Sequence, residues 1–521
     1  MSAGAEVDLF VIGGGINGAG IARDAAGRGL AVALAEADDL AGATSSASSK
    51  LVHGGLRYLE HFAFRLVREA LAEREALLRI APHLVRPLRF VVPHQPALRS
   101  ALAVRAGLML YDHLGGRRSL PGSQAMDLIR DPAGRGLRPQ WRRGFAYSDC
   151  LVDDARLVVA TARDAAQRGA AILTRTRCTA ARRDGQGWIV SVAPQRGGAV
   201  REWHARALVN AAGPWAGQVA SEVVGEAAPP LRLVRGSHVV VPRLHAGEHA
   251  LLLQGADRRV VFVIPFADRF SLIGTTEIPV AAPDDPAIAP DEIAYLQETT
   301  AQFLVRGFSA QDVVWSYSGI RPLYDDGAHD PSAVTRDYVL ALAAADGRAP
   351  LISVLGGKIT TYRRLAERVL DKLAPWFPGL GAAWTAGAAL PGGDLGPGGP
   401  EAGLAELAAR RPLLPRPFLR RLVLRHGSET GALLGAARVP ADLGRHFGGL
   451  LYEREVEHFR QHEWASSAAD ILWRRSKEGL EVTPAQAAAL AAYLGDADPA
   501  APGAPPEPPG APFSIGGVSE I

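Results

Sequence analysis

The apolar positions near the N-terminus fall into two short unbroken runs, Leu9-Phe-Val-Ile12 and Leu30-Ala-Val-Ala-Leu-Ala35. Between them lie a glycine-rich stretch and residues 19–29, of helix-compatible composition. Short continuous runs of this kind read as strands buried on both faces, so the chain opens with a βαβ unit and a parallel sheet. From Phe64 to Ile80 the period becomes that of an amphipathic helix, which Pro82 stops. A second such helix over 157–168 leads into a strand at Ala171-Ile-Leu-Thr174 and polar-turned strands to Val192; 207–213 is a further buried strand. Residues 231–276 are β-rich, with Ser237-His-Val-Val-Val241, Val260-Val-Phe-Val-Ile-Pro265 and Phe270-Ser-Leu-Ile-Gly274. One more apolar strand, 351–355, runs into Gly356-Gly-Lys358 and a helix to about Leu373. Buried strands from the N-terminus, the middle and 351–355 must share one sheet, because none has enough neighbours alone. Residues 391–400, rich in Gly and Pro, read as a linker, 401–494 carry helix signal almost exclusively, and 499–512 read as a disordered Pro/Ala tail.

Composition narrows the class. Hydrophobic residues make up 48% of the 521 and charged residues 21%, enough for a sizeable core. Lys+Arg 57 against Asp+Glu 54 leaves +3, which gives no electrostatic case for nucleic acid. Two cysteines, Cys150 and Cys178, build neither a disulfide framework nor a four-cysteine metal site, and no histidine pair shows ligand spacing on an open helix face, so no metal is expected. No uncharged apolar run approaches the ~18 residues of a membrane span, and the N-terminus lacks a basic and an apolar targeting region. A soluble or peripheral intracellular enzyme is the expectation. Only four lysines occur, Lys50, Lys358, Lys372 and Lys477, so arginine is the default cation and each lysine marks a place where a compact ammonium is preferred.

Gly13-x-Gly15-x-x-Gly18 stands between the first strand and helix, with Glu36 at the end of the second strand. In that context the glycines permit a tight turn and close approach of a pyrophosphate to the helix N-terminus, while the glutamate is placed for ribose hydroxyls. This predicts dinucleotide binding.

Longer motifs choose between dinucleotides. Thr44-Ser-Ser-Ala-Ser-Ser-Lys-Leu-Val-His-Gly-Gly-Leu-Arg-Tyr-Leu59 resembles the flavin-contacting segment of the FAD-dependent glycerol-3-phosphate dehydrogenases, and Leu208-Val-Asn-Ala-Ala-Gly-Pro-Trp215 their second nucleotide motif. Ser318-Gly-Ile-Arg-Pro322, Thr335-Arg-Asp-Tyr338, Gly356-Gly-Lys-Ile-Thr-Thr-Tyr362 and Ile471-Leu-Trp-Arg-Arg475 extend the resemblance over nearly the whole chain, with the bacterial aerobic, respiratory type as the best match. The resemblance implies an α/β fold: a discontinuous, glutathione-reductase-like FAD-binding domain (residues 1–80, 145–230 and 320–378), a β-rich substrate domain (81–144 and 231–319), a linker (379–400), a C-terminal helical cap domain (401–496) and a tail (497–521). It implies non-covalent FAD held by Gly13, Gly15, Gly18, Glu36, Thr44, Ser45, Ser46, Ser49, Lys50, Ala212, Gly213, Trp215, Gly356, Gly357, Lys358, Ile359 and Thr360.

The reaction so implied is oxidation of sn-glycerol 3-phosphate to dihydroxyacetone phosphate, with electrons leaving through FAD to a membrane quinone. Arg321 and Lys358 are expected beside flavin and substrate, and Arg57, Tyr58, Thr275 and Arg336 to complete the pocket. Arginine suits bidentate contact with phosphate, lysine a point charge. Lys358 is expected at a helix start, where a cation is unfavourable beside the dipole. For the base, His53 directly follows the flavin loop and is preferred to His238, which opens an apolar strand. Two arginine-flanked apolar stretches, 98–118 and 410–425, suit contact with an anionic membrane surface, which puts the chain at the inner face of the cell membrane, peripherally bound from the cytoplasmic side. A homodimer is left open. The rival readings are an oxygen-using glycerol-3-phosphate oxidase, another FAD-dependent hydroxy-acid or amine oxidase, and a non-catalytic FAD-binding scaffold.

Overall fold

The computed structural model describes residues 5–116, 119–185, 187–255, 257–284, 286–325, 337–344 and 348–496. Arg336, Arg117, Arg118 and the Pro/Ala tail lie outside the described residues.

Two large sheets carry the molecule. In the first, strands Val339–Ala343, Leu351–Leu355, Arg201–Asn210, Ala5–Ile12, Val32–Ala35 and Ala171–Leu173 lie side by side. The pairs that matter are parallel and distant in sequence: Ile12 sits opposite Asn210, and Leu208 opposite Leu351. Their carboxyl ends therefore share one edge, and the loops at Gly13, Ala211–Gly213 and Gly356–Lys358 leave the sheet together, the edge where open α/β sheets take ligands. Helices Ile16–Gly27, Asp154–Gln167 and Tyr362–Leu373 cover one face, burying Ile21, Ala25, Leu365 and Val369 on Leu9, Val11, Leu34 and Ile352. Gly20 lets the first helix close on the third, since a Cβ there would stand 2.6 Å from the Tyr362 ring. An antiparallel hairpin, Thr176–Asp184 with Gly187–Pro194, covers the other face through Trp188, Val190 and Val192.

The second sheet has ten strands, with Leu231–Pro242 hydrogen-bonded along Trp315–Tyr324 on one side and Phe270–Gly274 and Ile278–Val280 on the other. Its side chains alternate as a pleat requires. Val239, Val241, Val263 and Ile273 face the helix Pro290–Phe303, while Val240, Ile264 and Leu272 face helices Phe64–Ile80 and Ala101–Leu114.

Beyond Gly399 the described residues form helices with no strand, only an isolated bridge between His446 and Tyr452. Buried ion pairs join this part to the nucleotide-binding half: Arg475 bonds both oxygens of Asp39 at 2.5 and 2.7 Å, and Arg156 pairs with Glu463. The expectation of a membrane-facing stretch at 410–425 is corrected here. Phe418, Leu419, Leu422 and Val423 are all buried against Leu404, Leu414, Leu434 and Leu443. An amphipathic period reports that a face is covered; it does not say whether lipid or protein covers it.

Candidate active site

The fingerprint glycines divide by what each one touches. A Cβ on Gly18 would lie 1.9 Å from the Gly13 carbonyl, and one on Gly13, at φ +110°, 2.5 Å from the Ala211 carbonyl. Both are demanded by the protein itself. Gly15, the N-cap of the first helix at φ −76°, faces only the Ser45 hydroxyl at 3.0 Å, so its side-chain space is open to a ligand at the helix N-terminus. Glu36 follows the second strand and accepts from the backbone N–H of Gly14 at 2.6 Å and of Asp38 at 2.9 Å; burial raises its pKa.

The segment 44–53 folds over that helix start. Ser45 Oγ accepts from Ile16 N–H at 3.0 Å, Thr44 Oγ1 donates to the Ile320 carbonyl at 2.7 Å, and Ser46 Oγ donates to the Ala43 carbonyl at 3.2 Å. Lys50 does not turn to the ligand space. Its ammonium is buried beneath the loop, donating to both Asp154 oxygens at 3.0 Å and to the Ser46 carbonyl at 2.9 Å, over the Tyr317 ring. It supports the loop from below. Trp215 likewise spends its indole N–H on Asp284 at 3.2 Å, next to Gly213 at φ +58° and to Ala212, whose N–H donates to Asn210.

Gly356 and Gly357 take positive φ, +80° and +101°, and a Cβ on Gly356 would lie 3.5 Å from the Pro322 carbonyl. The 356–360 loop therefore lies along the strand that carries Arg321. Asn17 fastens it to the fingerprint helix by donating to the Gly356 carbonyl at 3.2 Å. Lys358 stands in a turn whose carbonyl accepts from Thr361, ahead of the helix Tyr362–Leu373 rather than in its first turn as the sequence suggested. Its ammonium is buried, lies 3.9 Å from the centre of the Tyr58 ring and has no hydrogen-bond partner among the described residues. Ile359 packs beneath, against the cluster around Ile16 and Val52, and Thr360 Oγ1 accepts from His53 N–H at 3.3 Å.

Arg321 donates to Thr275 Oγ1 at 3.0 Å and pairs with Glu277 at 3.2 Å. Arg57, half-buried on the turn Leu56–His61, makes no ion pair or hydrogen bond among the described residues. The two histidines differ in how they are held. His53 Nδ1 accepts from Gly55 N–H at 3.1 Å, which places the ring proton of the neutral form on Nε2; burial, then the nearby Lys358 charge, pull its pKa down to about 4. His238 is stacked on Tyr317 with Nε2 2.9 Å from Ser49 Oγ and Nδ1 without a partner; burial, then Arg321, hold it neutral. Both rings are thus uncharged at neutral pH.

A model of the FAD-dependent oxidoreductases matches residues 8–363. The chain belongs to that family. Within it, the chain is 51% identical to the aerobic glycerol-3-phosphate dehydrogenase of Escherichia coli over 91% of its own length and 94% of that protein's. It is 50% identical to the D-erythritol 1-phosphate dehydrogenase of Brucella abortus over 94% of this chain and 98% of that one. The glycerol-3-phosphate dehydrogenase from Bacillus halodurans, solved in complex with FAD, superposes with a TM-score of 0.70 at 26% identity, covering 91% of this chain and 86% of that one. FAD is the cofactor of this oxidoreductase, and the residues fit it: an open helix N-terminus at Gly15 and an acid at Glu36 at the end of the neighbouring strand.

Sequence reasoning missed a triad behind the His53 turn. Gly54 N–H donates to Tyr111 OH at 2.8 Å, Tyr111 donates to Asp149 at 2.7 Å, and Arg74 donates to Asp149 at 2.8 Å. Burial raises Asp149 to about 6. No spacing links residues 54, 74, 111 and 149, so no local signal announces them. Asn17 was within reach, as a polar residue inside the fingerprint. Tyr111→Phe keeps the ring's packing and deletes the acceptor for Gly54; at ~1–2 kcal/mol for such a bond, kcat/KM is expected to fall roughly 5- to 30-fold with flavin content unchanged, as steady-state kinetics and the visible spectrum would report.

Proposed function

We propose that this oxidoreductase oxidises sn-glycerol 3-phosphate to dihydroxyacetone phosphate and passes the electrons to a membrane quinone. The observation that carries the reading is the Lys358 ammonium, buried and without a hydrogen-bond partner among the described residues, in the loop that lies along the strand of Arg321 and over the Tyr58 ring that follows Arg57. A phosphorylated alcohol supplies the missing anion. FAD, when bound, supplies the hydride acceptor. Gly13, Gly15, Gly18, Glu36, Thr44, Ser45, Ser46, Ala212, Gly213 and the 356–360 loop would hold it. In this reading Lys358 and Arg57 hold the phosphate, Arg321, fixed by Thr275 and Glu277, orients the secondary hydroxyl, and Tyr58 walls the pocket beneath Lys358. His53 takes the hydroxyl proton once its Nδ1 lone pair leaves Gly55 N–H, since the neutral ring carries its proton on Nε2; His238, whose Nδ1 has no partner among the described residues, positions Ser49 and is the alternative base.

A second substrate, a longer polyol phosphate, is favoured by the relative that bears the name D-erythritol 1-phosphate dehydrogenase. Both substrates place a secondary alcohol beside a phosphomonoester, so the recognising chemistry is shared. Anaerobic titration separates them: sn-glycerol 3-phosphate is expected to bleach the flavin at lower concentration than D-erythritol 1-phosphate. No bleaching by either would sink the enzymatic reading, and stoichiometric peroxide in air would point to an oxidase.

The membrane side of the proposal rests on a different face from the one suggested at 410–425. No helix among the described residues is long and apolar enough to cross a membrane. On helix Ala101–Leu114, however, Leu102, Met109 and Leu110 are exposed, and Phe62 and Phe64, in contact with each other, are exposed on the turn leading from Arg57 and Tyr58. Arg65 and Arg105 are exposed on the same two helices. This pairing of apolar and basic groups suits an anionic bilayer surface and the inner face of the cell membrane. Phe62→Ser with Leu102→Ser and Met109→Ser is expected to lose sedimentation with anionic vesicles and turnover with a lipid-dissolved quinone, and to keep turnover with a soluble dye. Loss of the dye reaction as well would remove this face from the account. A homodimer would be seen by sedimentation equilibrium and is not required by the site.

A further inference from the structure

In the helical C-terminal part, behind the arginines that tie it to the nucleotide-binding half, three ligand-type side chains come together. They belong to His426 at the end of helix Arg416–His426, His458 within helix Glu453–His462, and Glu463 immediately after it. One ligand atom from each lies within 4.8 Å of the others. The His426 and Glu463 side chains are fully buried and that of His458 is 14% exposed. His426 Nδ1, His458 Nε2 and Glu463 Oε1 make no well-formed hydrogen bond among the described residues, although His458 Nε2 and Glu463 Oε1 face each other at 3.5 Å. A buried polar atom left unsatisfied is costly, and His426 Nδ1 stands unpartnered beside that long pair.

The groups behind them are arranged as second-layer supports of a metal centre. His426 Nε2 lies 2.7 Å from Glu455 Oε1, so the carboxylate takes the ring N–H and leaves Nδ1 as a lone pair with no partner among the described residues. Glu463 gives its other oxygen to Arg156, which comes from the nucleotide-binding half. Three guanidinium groups face the same carboxylate: Arg156 and, at 3.8 Å, Arg475 at Oε2, and Arg163 at 3.7 Å from Oε1; Arg475 is bound to Asp39 and Arg163 to both oxygens of Glu429 at 2.8 and 3.2 Å. His462, one turn beyond His458 with ring centres 5.0 Å apart, makes with it an i, i+4 histidine pair on one helix, which corrects the expectation that no such spacing occurs.

We propose that His426, His458 and Glu463 bind one divalent cation of the zinc class. Two imidazole nitrogens and one carboxylate oxygen are the donor set such ions take, with a water or His462 in the fourth position. Zn–N and Zn–O bonds of about 2.0–2.2 Å place ligand atoms roughly 3.3 Å apart; His458 Nε2 and Glu463 Oε1 already lie 3.5 Å apart, so a small approach between His426 and that pair closes the site. The cation ties the two cap helices together and, through Glu463 and Arg156, clamps the cap onto the nucleotide-binding half. It takes no part in the redox chemistry.

The test uses the full-length holoenzyme, stripped with a chelator, loaded with one equivalent of Zn2+ and desalted before metal analysis. One zinc per chain and a raised melting temperature are expected. His458→Ala is expected to lose at least ~10-fold in zinc affinity and the whole of the zinc-dependent thermal shift, while keeping flavin content and dye-linked activity. Co2+ in place of zinc should give visible bands beyond the flavin absorption in the wild type and none in the variant. Unchanged zinc content in His458→Ala, loss of it instead in His249→Ala (His245 and His249 form the other close histidine pair, ring centres 4.9 Å apart), or adventitious zinc only, removed by desalting, would each overturn the proposal.

Discussion

Lys358→Met is expected to reduce kcat/KM for sn-glycerol 3-phosphate by at least ~100-fold while the purified protein stays yellow. The ammonium is buried and has no hydrogen-bond partner among the described residues, with the Tyr58 ring beneath it at 3.9 Å. No carboxylate among the described residues therefore shares the anion it meets. A hydrogen bond to a charged group is worth ~1.5–3 kcal/mol, or roughly 10- to 150-fold, and burial places Lys358 at the upper end. Arg321→Met should cost less, about 10-fold, because Glu277 and Thr275 already engage that guanidinium. The comparison that decides the role uses unphosphorylated glycerol. If Lys358→Met loses as much on glycerol as on the phosphorylated substrate, the lysine serves the flavin or the fold and the phosphate assignment falls.

Gly15→Val is expected to abolish flavin binding without unfolding the chain. The three fingerprint glycines do not make equivalent tests. A side chain on Gly18 or Gly13 would collide with backbone at 1.9 and 2.5 Å, so loss of flavin in those variants would report a broken turn. At Gly15 the backbone is in an ordinary region and only Ser45 Oγ lies near, at 3.0 Å. The larger obstruction falls on the ligand, whose pyrophosphate must approach the helix N-terminus. The variant should purify colourless, with a far-ultraviolet spectrum like the wild type's. Normal flavin stoichiometry would remove the pyrophosphate from this helix end.

The sequence by itself determined what is written in periods and in contiguous motifs. The helix at 64–80, the strand at 351–355 and the βαβ opening follow from apolar spacing, because burial on one or both faces imposes its own repeat. The FAD-dependent family was legible because its motifs are long, ordered and spread over most of the chain. Where a side chain points once the strands are assembled was not legible. Lys50 and Lys358 both stand in motifs and both are rare lysines, yet one ammonium is tied to Asp154 beneath a loop and the other has no hydrogen-bond partner among the described residues. The stretches at 98–118 and 410–425 carry the same mixture of arginine and leucine, and packing left the first exposed at Leu102 and Met109 while it buried Phe418 and Leu422. The Tyr111–Asp149–Arg74 support of the His53 turn and the His426–His458–Glu463 cluster join residues tens of positions apart. Local spacing constrains only neighbours along the chain; these contacts exist because sheets and helices closed around them, and only the tertiary structure decided them.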